Sequence, residues 1–319
     1  MKNSSLKIWS NVKYDDSALE FLYRETTGHQ LIIASGPIHE DTALLNSDVA
    51  FGQPDADVVR RSETLRWIHL DSAGYEKFDV KAIYEALRKR GAQLSNSSGV
   101  FDEPCAEHLL AMMMSNARRL PQACENQLRD RSWPMMELRS SSYLLTGQTA
   151  LILGFGAIAR RLVELLNPLR MNLFAVRRQK AGDEPIPVIP ESELGKHLPL
   201  ADHIIDILPI NSTTRYYINE ARLSAMKRGA IFYNIGRGAT VDHKALAAAL
   251  SAGHLAAAYL DVTEPEPLPP EHPLWTAPNC FITPHTGGGH IGEKERLVHH
   301  FLNNLRRFVA GEDLIDRII

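Results

Sequence analysis

Cysteine is scarce in this chain. Cys105, Cys124 and Cys280 stand far apart among 319 residues and show no C-x-x-C spacing. A disulfide framework is therefore not expected, and a reducing compartment is. Long apolar runs are also missing, so no segment reads as a membrane span. The opening stretch MKNSSLKIWSNVKYDD is polar and has no apolar h-region, so no signal peptide is expected. Nor does one sign of charge dominate. Thirty-five Lys and Arg against 38 Asp and Glu leave a net charge of −3, too little to draw nucleic acid or a membrane surface. Repeats and low-complexity tracts are absent. No HExxH-type spacing occurs, and the adjacent His299 and His300 would point apart on a helix, so no metal is expected. These absences leave a cytoplasmic globular protein, and 44% hydrophobic with 23% charged residues is ordinary for one.

What is there is an alternation of short apolar runs with helical patterns. The length suggests two domains. The strongest unit begins at Thr149. TALILG reads as a buried strand, GFGAIA as a turn, RRLVELLNPL as a helix on the spacing of Leu162, Leu165, Leu166 and Leu169, and MNLFAV as the next strand. Runs at 201–209, 230–236, 256–262 and 279–285 continue as strands, with helices over INEARLSAMK and HKALAAALSAG between them. That order predicts a doubly wound parallel sheet with helices on both faces. The first hundred residues alternate more weakly. Strands are expected in LKIWS, HQLIIAS, ADVVR, LRWIHL and AQLSNSS, and helices in DSALEFLYRETT and KAIYEALRKRG, giving a second, smaller α/β domain. EPCAEHLLAMMMSNARRLP is apolar nearly all round and reads as a buried helix at the junction. The last amphipathic helix, EKERLVHHFLNNLRRFVAG, could return to the first domain.

Gly154 and Gly156, with Ala159 in the third place, fit G-x-G-x-x-G/A between a strand and a helix. The first glycine permits a tight turn, the second lets backbone approach a pyrophosphate, and the small third residue lets helix and strand pack. N–H groups near Ala157 and Ile158 would then face the phosphates. The alternative is a turn that needs glycine only for its backbone angles, but the βαβ context favours a dinucleotide. The second strand of such a unit usually ends in an acid that holds the ribose hydroxyls. Here Arg177 stands there, followed by Arg178. An arginine binds a 2′-phosphate that an acid would repel, so NADP(H) is expected over NAD(H), with NAD(H) possible. A solvated basic corner is the other reading.

Three further strand ends carry polar residues: Arg237 in NIGRGATVD; Asp261, Glu264 and Glu266 in LDVTEPEP; His285 in TPHTGG. Such strand ends open on the ligand crevice of an open α/β sheet. Taken with GFGAIA, LPINSTT and LDVTEPEPLPPEHPLW, these segments resemble the D-isomer-specific 2-hydroxyacid dehydrogenase family, NADP-preferring glyoxylate and hydroxypyruvate reductases included. The resemblance runs from about residue 60 onward, with weaker echoes in LDSAGYEKFD and AEHLLAMMM. It implies a Rossmann-like cofactor domain at 105–288 and a discontinuous, flavodoxin-like substrate domain at 1–104 and 289–319. It implies Arg237 as the substrate clamp, His285 as the general acid/base and Glu266 as its partner. Asp261 matches the residue that contacts the nicotinamide carboxamide, Pro209 and Thr214 the loop lining the cofactor, and Gly74 and Tyr75 the substrate-carboxylate loop. NAD-using relatives usually carry Asp at the place of Arg177. A homodimer centred on 118–134 is implied as well.

On this reading the enzyme moves a hydride between NADP(H) and a small 2-oxo acid. Arg237 stabilises the developing alkoxide, His285 supplies the proton, and the Glu266 carboxylate orients the ring and favours its charged form. Formate dehydrogenase, a relative with an amide beside its histidine, fits Glu266 poorly. A nucleotide-sensing binding protein on the same fold is the reading from another class; it would bind cofactor without turnover.

Overall fold

The computed structural model describes residues 5–34, 42–178 and 182–319. By its contacts the chain divides into two units, one of residues 1–101 and 289–319, the other of residues 102–288. Each contains one parallel sheet.

The first unit holds β1 (Lys7–Ser10), β2 (Gln30–Ile33), β3 (Val49–Phe51), β4 (Trp67–His69) and β5 (Gln93–Ser95), in the order β2-β1-β3-β4-β5. Every pairing is parallel. This is the flavodoxin-like strand order. Its helices are α1 (Asp16–Glu25), α2 (Thr42–Leu45), α3 (Ala56–Arg61) and α4 (Lys81–Lys89). Two expectations change here. ADVVR is a helix, α3, because the Asp55 carboxylate accepts from the N–H groups of Asp57 and Val58 and caps it. The valines bury their side chains from a helix rather than a strand. The missing strand is β3, whose three residues are fully buried between β1 and β4. The strand expected over 29–35 ends at Ile33, and position 35 lies outside the described residues.

The second unit begins within α5 (Ser98–Ala117), followed by α6 (Leu120–Arg129) and α7 (Met135–Ser141). Its strands are β6 (Thr149–Leu153), β7 (Asn172–Val176), β8 (Val188–Ile189), β9 (His203–Asp206), β10 (Ile231–Asn234), β11 (Ala257–Leu260) and β12 (Cys280–Ile282). They lie in the order β12-β11-β10-β9-β6-β7-β8, all parallel. This is the doubly wound Rossmann order, with its switch point between β6 and β9. The central strands are buried on both faces, and so their sequences run mostly apolar without a polar alternation. The helices α8 (Ala157–Leu166), α9 (Leu194–His197), α10 (Glu220–Ala225) and α11 (His243–Ser251) follow the strands.

The last helix, α12 (Glu293–Ala310), belongs to the first unit. Its apolar stripe of Leu297, Val298, Phe301, Leu302 and Leu305 joins Ile8, Phe51 and Trp67 in one buried cluster. Phe301 stacks on Phe51 at 4.2 Å and on Trp67 at 5.3 Å between ring centres. Burying a side chain of this size contributes about 1.5–3 kcal/mol, enough to tie the chain's end back to its beginning.

Candidate active site

The turn after β6 shows why its glycines are glycines. Gly154 has φ +93°, a region L side chains rarely enter, and a Cβ there would lie 3.2 Å from the Ile207 carbonyl oxygen. Gly156 is the N-cap of α8, and no side chain caps that helix. The first N–H groups of α8, around Ala157 and Ile158, are thus left for another acceptor, in a place where the helix dipole favours an anion. Ala159 is fully buried against the sheet. These features fit a dinucleotide pyrophosphate.

Beside it β7 ends at Val176, and Arg177 follows. Its Nη1 lies 3.0 Å from Glu184 Oε1, a carboxylate only 6% exposed. Glu184 Oε2 accepts from the Gly182 N–H at 2.9 Å. Arg160 reaches Asp183 at 2.8 Å while its guanidinium lies over the Phe155 ring. Arg178 is exposed, and among the described residues no carboxylate pairs with it. The basic corner therefore contains two acids, Asp183 and Glu184, that the sequence reading did not connect with it. The DE pair in GDEP was the available signal.

The loop after β9 carries Pro209 and Thr214. Thr214 Oγ1 donates to the Pro209 carbonyl at 2.6 Å and accepts from the Asn211 N–H at 2.8 Å, so it braces this loop. Gly236 backs onto the same loop, since a Cβ there would meet Leu208 O at 2.6 Å. Gly238 is pressed against Thr263, with a hypothetical Cβ 2.0 Å from its carbonyl carbon. Arg237 sits between these glycines on a turn wedged between the loops after β9 and β11. The turn is half-buried at Arg237, whose Nη1 donates to the Gly236 carbonyl at 2.8 Å.

His285 and Glu266 come together. The imidazole Nδ1 lies 2.8 Å from Glu266 Oε2, and Glu266 Oε1 accepts from the Thr263 N–H at 2.9 Å. With Nδ1 engaged, Nε2 is the nitrogen left to exchange a proton. His285 has φ +54° and is held there by its own N–H on the Asp261 carbonyl. The Asp261 carboxylate is 2% exposed and accepts from Thr283 Oγ1, the Thr286 N–H and the Gly287 N–H. It thereby ties down the loop that carries His285. A carboxylate has about four acceptor positions, so one remains. A cavity of about 390 Å³ opens beside the dyad, lined by Asp261, Leu268, Trp275 and Thr283.

The sequence reading missed what lies behind this loop. His108 and Cys105 are three residues apart on α5, on one helical face. His108 Nε2 is 3.1 Å from Thr283 Oγ1 and 3.6 Å from Asp261 Oδ1. Thr283 gives its only proton to Asp261, so His108 Nε2 must be the donor to Thr283. Burial, and to a lesser degree the Asp261 charge, pushes the Cys105 thiol up to about 12, which keeps it unreactive.

Gly74 and Tyr75 belong to the first unit. Ser72 Oγ donates to the Gly74 carbonyl at 2.7 Å, Asn96 Nδ2 to Ala73 at 2.6 Å, and the Tyr75 carbonyl accepts from the Phe78 N–H at 2.8 Å. The loop is thus fixed by its own unit.

Residues 110–287 match the family model described as the D-isomer specific 2-hydroxyacid dehydrogenase, NAD binding domain. This chain belongs to the D-isomer-specific 2-hydroxyacid dehydrogenase family. A glyoxylate reductase of Korarchaeum cryptofilum is 34% identical over 270 residues, covering 81% of this chain and 77% of its own. The crystal structure of the TT0316 protein from Thermus thermophilus superposes with a TM-score of 0.78 at 30% identity, over 98% of this chain and all of that one. A D-isomer-specific 2-hydroxyacid dehydrogenase from Xanthobacter autotrophicus Py2, solved with NADPH and MES, shares the fold at a TM-score of 0.83 and 24% identity, over 99% and 98% of the two chains. The dehydrogenase is accordingly an oxidoreductase that uses a nicotinamide cofactor. Among the described residues no helix is long and apolar enough to cross a membrane.

Proposed function

We propose that this dehydrogenase reduces a small 2-oxo acid to the D-2-hydroxy acid, with NADPH preferred over NADH. The observation that carries this reading is the 2.8 Å contact between His285 Nδ1 and Glu266 Oε2 on a loop tied to Asp261. Gly154, Gly156 and the first turn of α8 would hold the pyrophosphate, Pro209 and Thr214 the nicotinamide half, and Asp261, through its remaining acceptor position, the carboxamide. The bound nicotinamide supplies the hydride. Arg237 would pair with the substrate carboxylate and stabilise the developing alkoxide. His285 Nε2 would give the proton to that oxygen, with the Glu266 carboxylate holding the ring. The Gly74–Tyr75 loop is assigned to the substrate carboxylate on resemblance alone. The glyoxylate reductases among the relatives make glyoxylate and hydroxypyruvate the first substrates to test.

At the ribose, both arginines are assigned to the 2′-phosphate. Arg177 already shares its charge with Glu184, so Arg178 takes the larger part. A homodimer is also part of this reading. Helices α6 and α7 bury no residue in the single chain, and Leu128, Trp133, Met136 and Leu144 stand 68–89% exposed around them. A face this apolar suits a second copy of the same surface. A cytoplasmic location agrees with three unlinked cysteines. Initial rates of NADPH oxidation against a panel of 2-oxo acids test the reading: turnover supports it, and cofactor binding without turnover refutes it.

A further inference from the structure

Asp206 ends β9 with a fully buried carboxyl that no step above uses. Its Oδ1 accepts from the Leu208 N–H at 3.0 Å, at the start of the loop that carries Pro209. Its Oδ2 lies 2.6 Å from Thr240 Oγ1, and that hydroxyl oxygen also lies 2.6 Å from the carbonyl oxygen of Arg237. A threonine hydroxyl has one proton to give, while a carboxylate and a carbonyl can only accept. With Asp206 ionised, one of these two short contacts contains no proton, and the two oxygens repel. A single proton on Asp206 satisfies both. Oδ2–H then donates to Thr240, and Thr240 donates to Arg237.

The surroundings agree with a neutral acid. The strand neighbours of Asp206 are Leu153 on β6 and Asn234 on β10, neither charged. Among the described residues no cation pairs with it. Burial pushes this carboxyl up to about 7, against the lowering effect of its bonds from Thr240 and Leu208. The titratable group that senses it is Tyr217, whose phenol is pushed up to about 12, first by its own burial and least by Asp206. On the far side of Tyr217 stands Arg222, whose guanidinium lies 3.6 Å from the centre of that ring.

We propose that Asp206 is a protonated, hydrogen-bond-donating acid that positions the Arg237 turn, and that its ionisation loosens that turn. When it ionises, the proton leaves to water and Thr240 turns its own proton to Oδ2. The Arg237 carbonyl then loses the Thr240 hydroxyl proton, keeps Asn234 Nδ2 at 3.1 Å and the Thr240 N–H at 3.2 Å, and faces a lone pair of Thr240. The kinetic part of this inference rests on Arg237 as the substrate clamp; the protonation state does not.

The test is Asp206→Asn, whose amide N–H replaces Oδ2–H and whose amide oxygen replaces Oδ1. Thermal and denaturant unfolding of variant and parent, without substrate, are compared from pH 4 to 8.5. A folded-state pKa above the unfolded value stabilises the parent fully at low pH, and that stabilisation is lost as pH rises toward 7. The amide has no such dependence. Relative to the parent, the folding equilibrium of the variant should gain on the order of 10²–10³-fold between pH 4 and 7 and then level off. The ratio of kcat/KM, variant over parent, should rise several-fold from pH 6 to 8.5, mainly through KM for the 2-oxo acid. Any ionisation that the two proteins share cancels in that ratio. A stability difference flat with pH, or a variant that cannot fold, overturns the protonated state. A sloping stability difference with a flat kinetic ratio overturns the positioning role. Should Arg237→Ala keep parental activity, the clamp falls while the stability result still stands.

Discussion

Removing Arg178 and Arg177 one at a time should have different consequences. Arg178 is exposed at the end of β7, so Arg178→Ala costs the fold little. If it bonds a 2′-phosphate, its loss removes a charge-assisted hydrogen bond worth about 1.5–3 kcal/mol, or roughly ten- to a hundred-fold in binding. The ratio of kcat/KM for NADPH over NADH should fall by that factor, through KM for NADPH, with the melting temperature unchanged. Arg177→Ala is a different experiment. It strips the Arg177 cation from Glu184, a carboxylate 6% exposed whose other oxygen accepts from the Gly182 N–H. Losing a charge-assisted hydrogen bond at a buried carboxylate costs about 1.5–3 kcal/mol, a fall of a few degrees in melting temperature for a unit of this size. Its effect on cofactor preference should be the smaller of the two. Arg177→Asp would set two carboxylates together and is a poor probe of specificity for that reason. Steady-state kinetics with both cofactors, and a thermal melt of each variant, decide the matter. A parent enzyme that uses NADH as well as NADPH, or an Arg178→Ala variant with an unchanged ratio, refutes the reasoning.

Other consequences can be checked. Arg237→Ala should lower kcat/KM for any 2-oxo acid by about 10²–10³-fold while NADPH still binds, measured by initial rates and cofactor fluorescence. Glu266→Gln exchanges a charge-assisted bond at 2.8 Å for a neutral one, and kcat should fall about five- to thirty-fold. His203, between Tyr233 and Gln148, has its pKa lowered to about 4 by burial, against an opposing effect of Asp202. The unfolded chain therefore binds a proton that the folded one refuses between pH 6.5 and 4, and the parent should lose on the order of 3 kcal/mol over that range relative to His203→Gln. Trp133→Glu should turn a dimer into a monomer by sedimentation at micromolar concentration; a parent already monomeric there removes the dimer.

The parts legible in the sequence were those with a local cause. Central strands buried on both faces had to be mostly apolar, so β6, β7, β9, β10 and β11 stood out. The glycine turn was legible because its backbone geometry needs glycine at Gly154 and openness at Gly156. The dyad was found only by resemblance, since Glu266 and His285 stand nineteen positions apart. β3 escaped because three residues show no period. ADVVR misled because its two valines favour a strand, until Asp55 capped them into a helix. Asp206 was hidden inside ADHIIDILP, where an acid among apolar residues gives no hint of a proton shared with Thr240. Glu184 and His108 meet their partners only through the folded chain, at 3.0 and 3.1 Å.

The most direct test of the account is the reduction of hydroxypyruvate by NADPH in the parent and in His285→Ala, with the glycerate formed resolved by chiral chromatography. The account predicts D-glycerate alone from the parent, and a kcat lower by about 10²–10⁴-fold without the imidazole. No turnover of any 2-oxo acid by the parent, an L-configured product, or a near-parental rate in His285→Ala would contradict it.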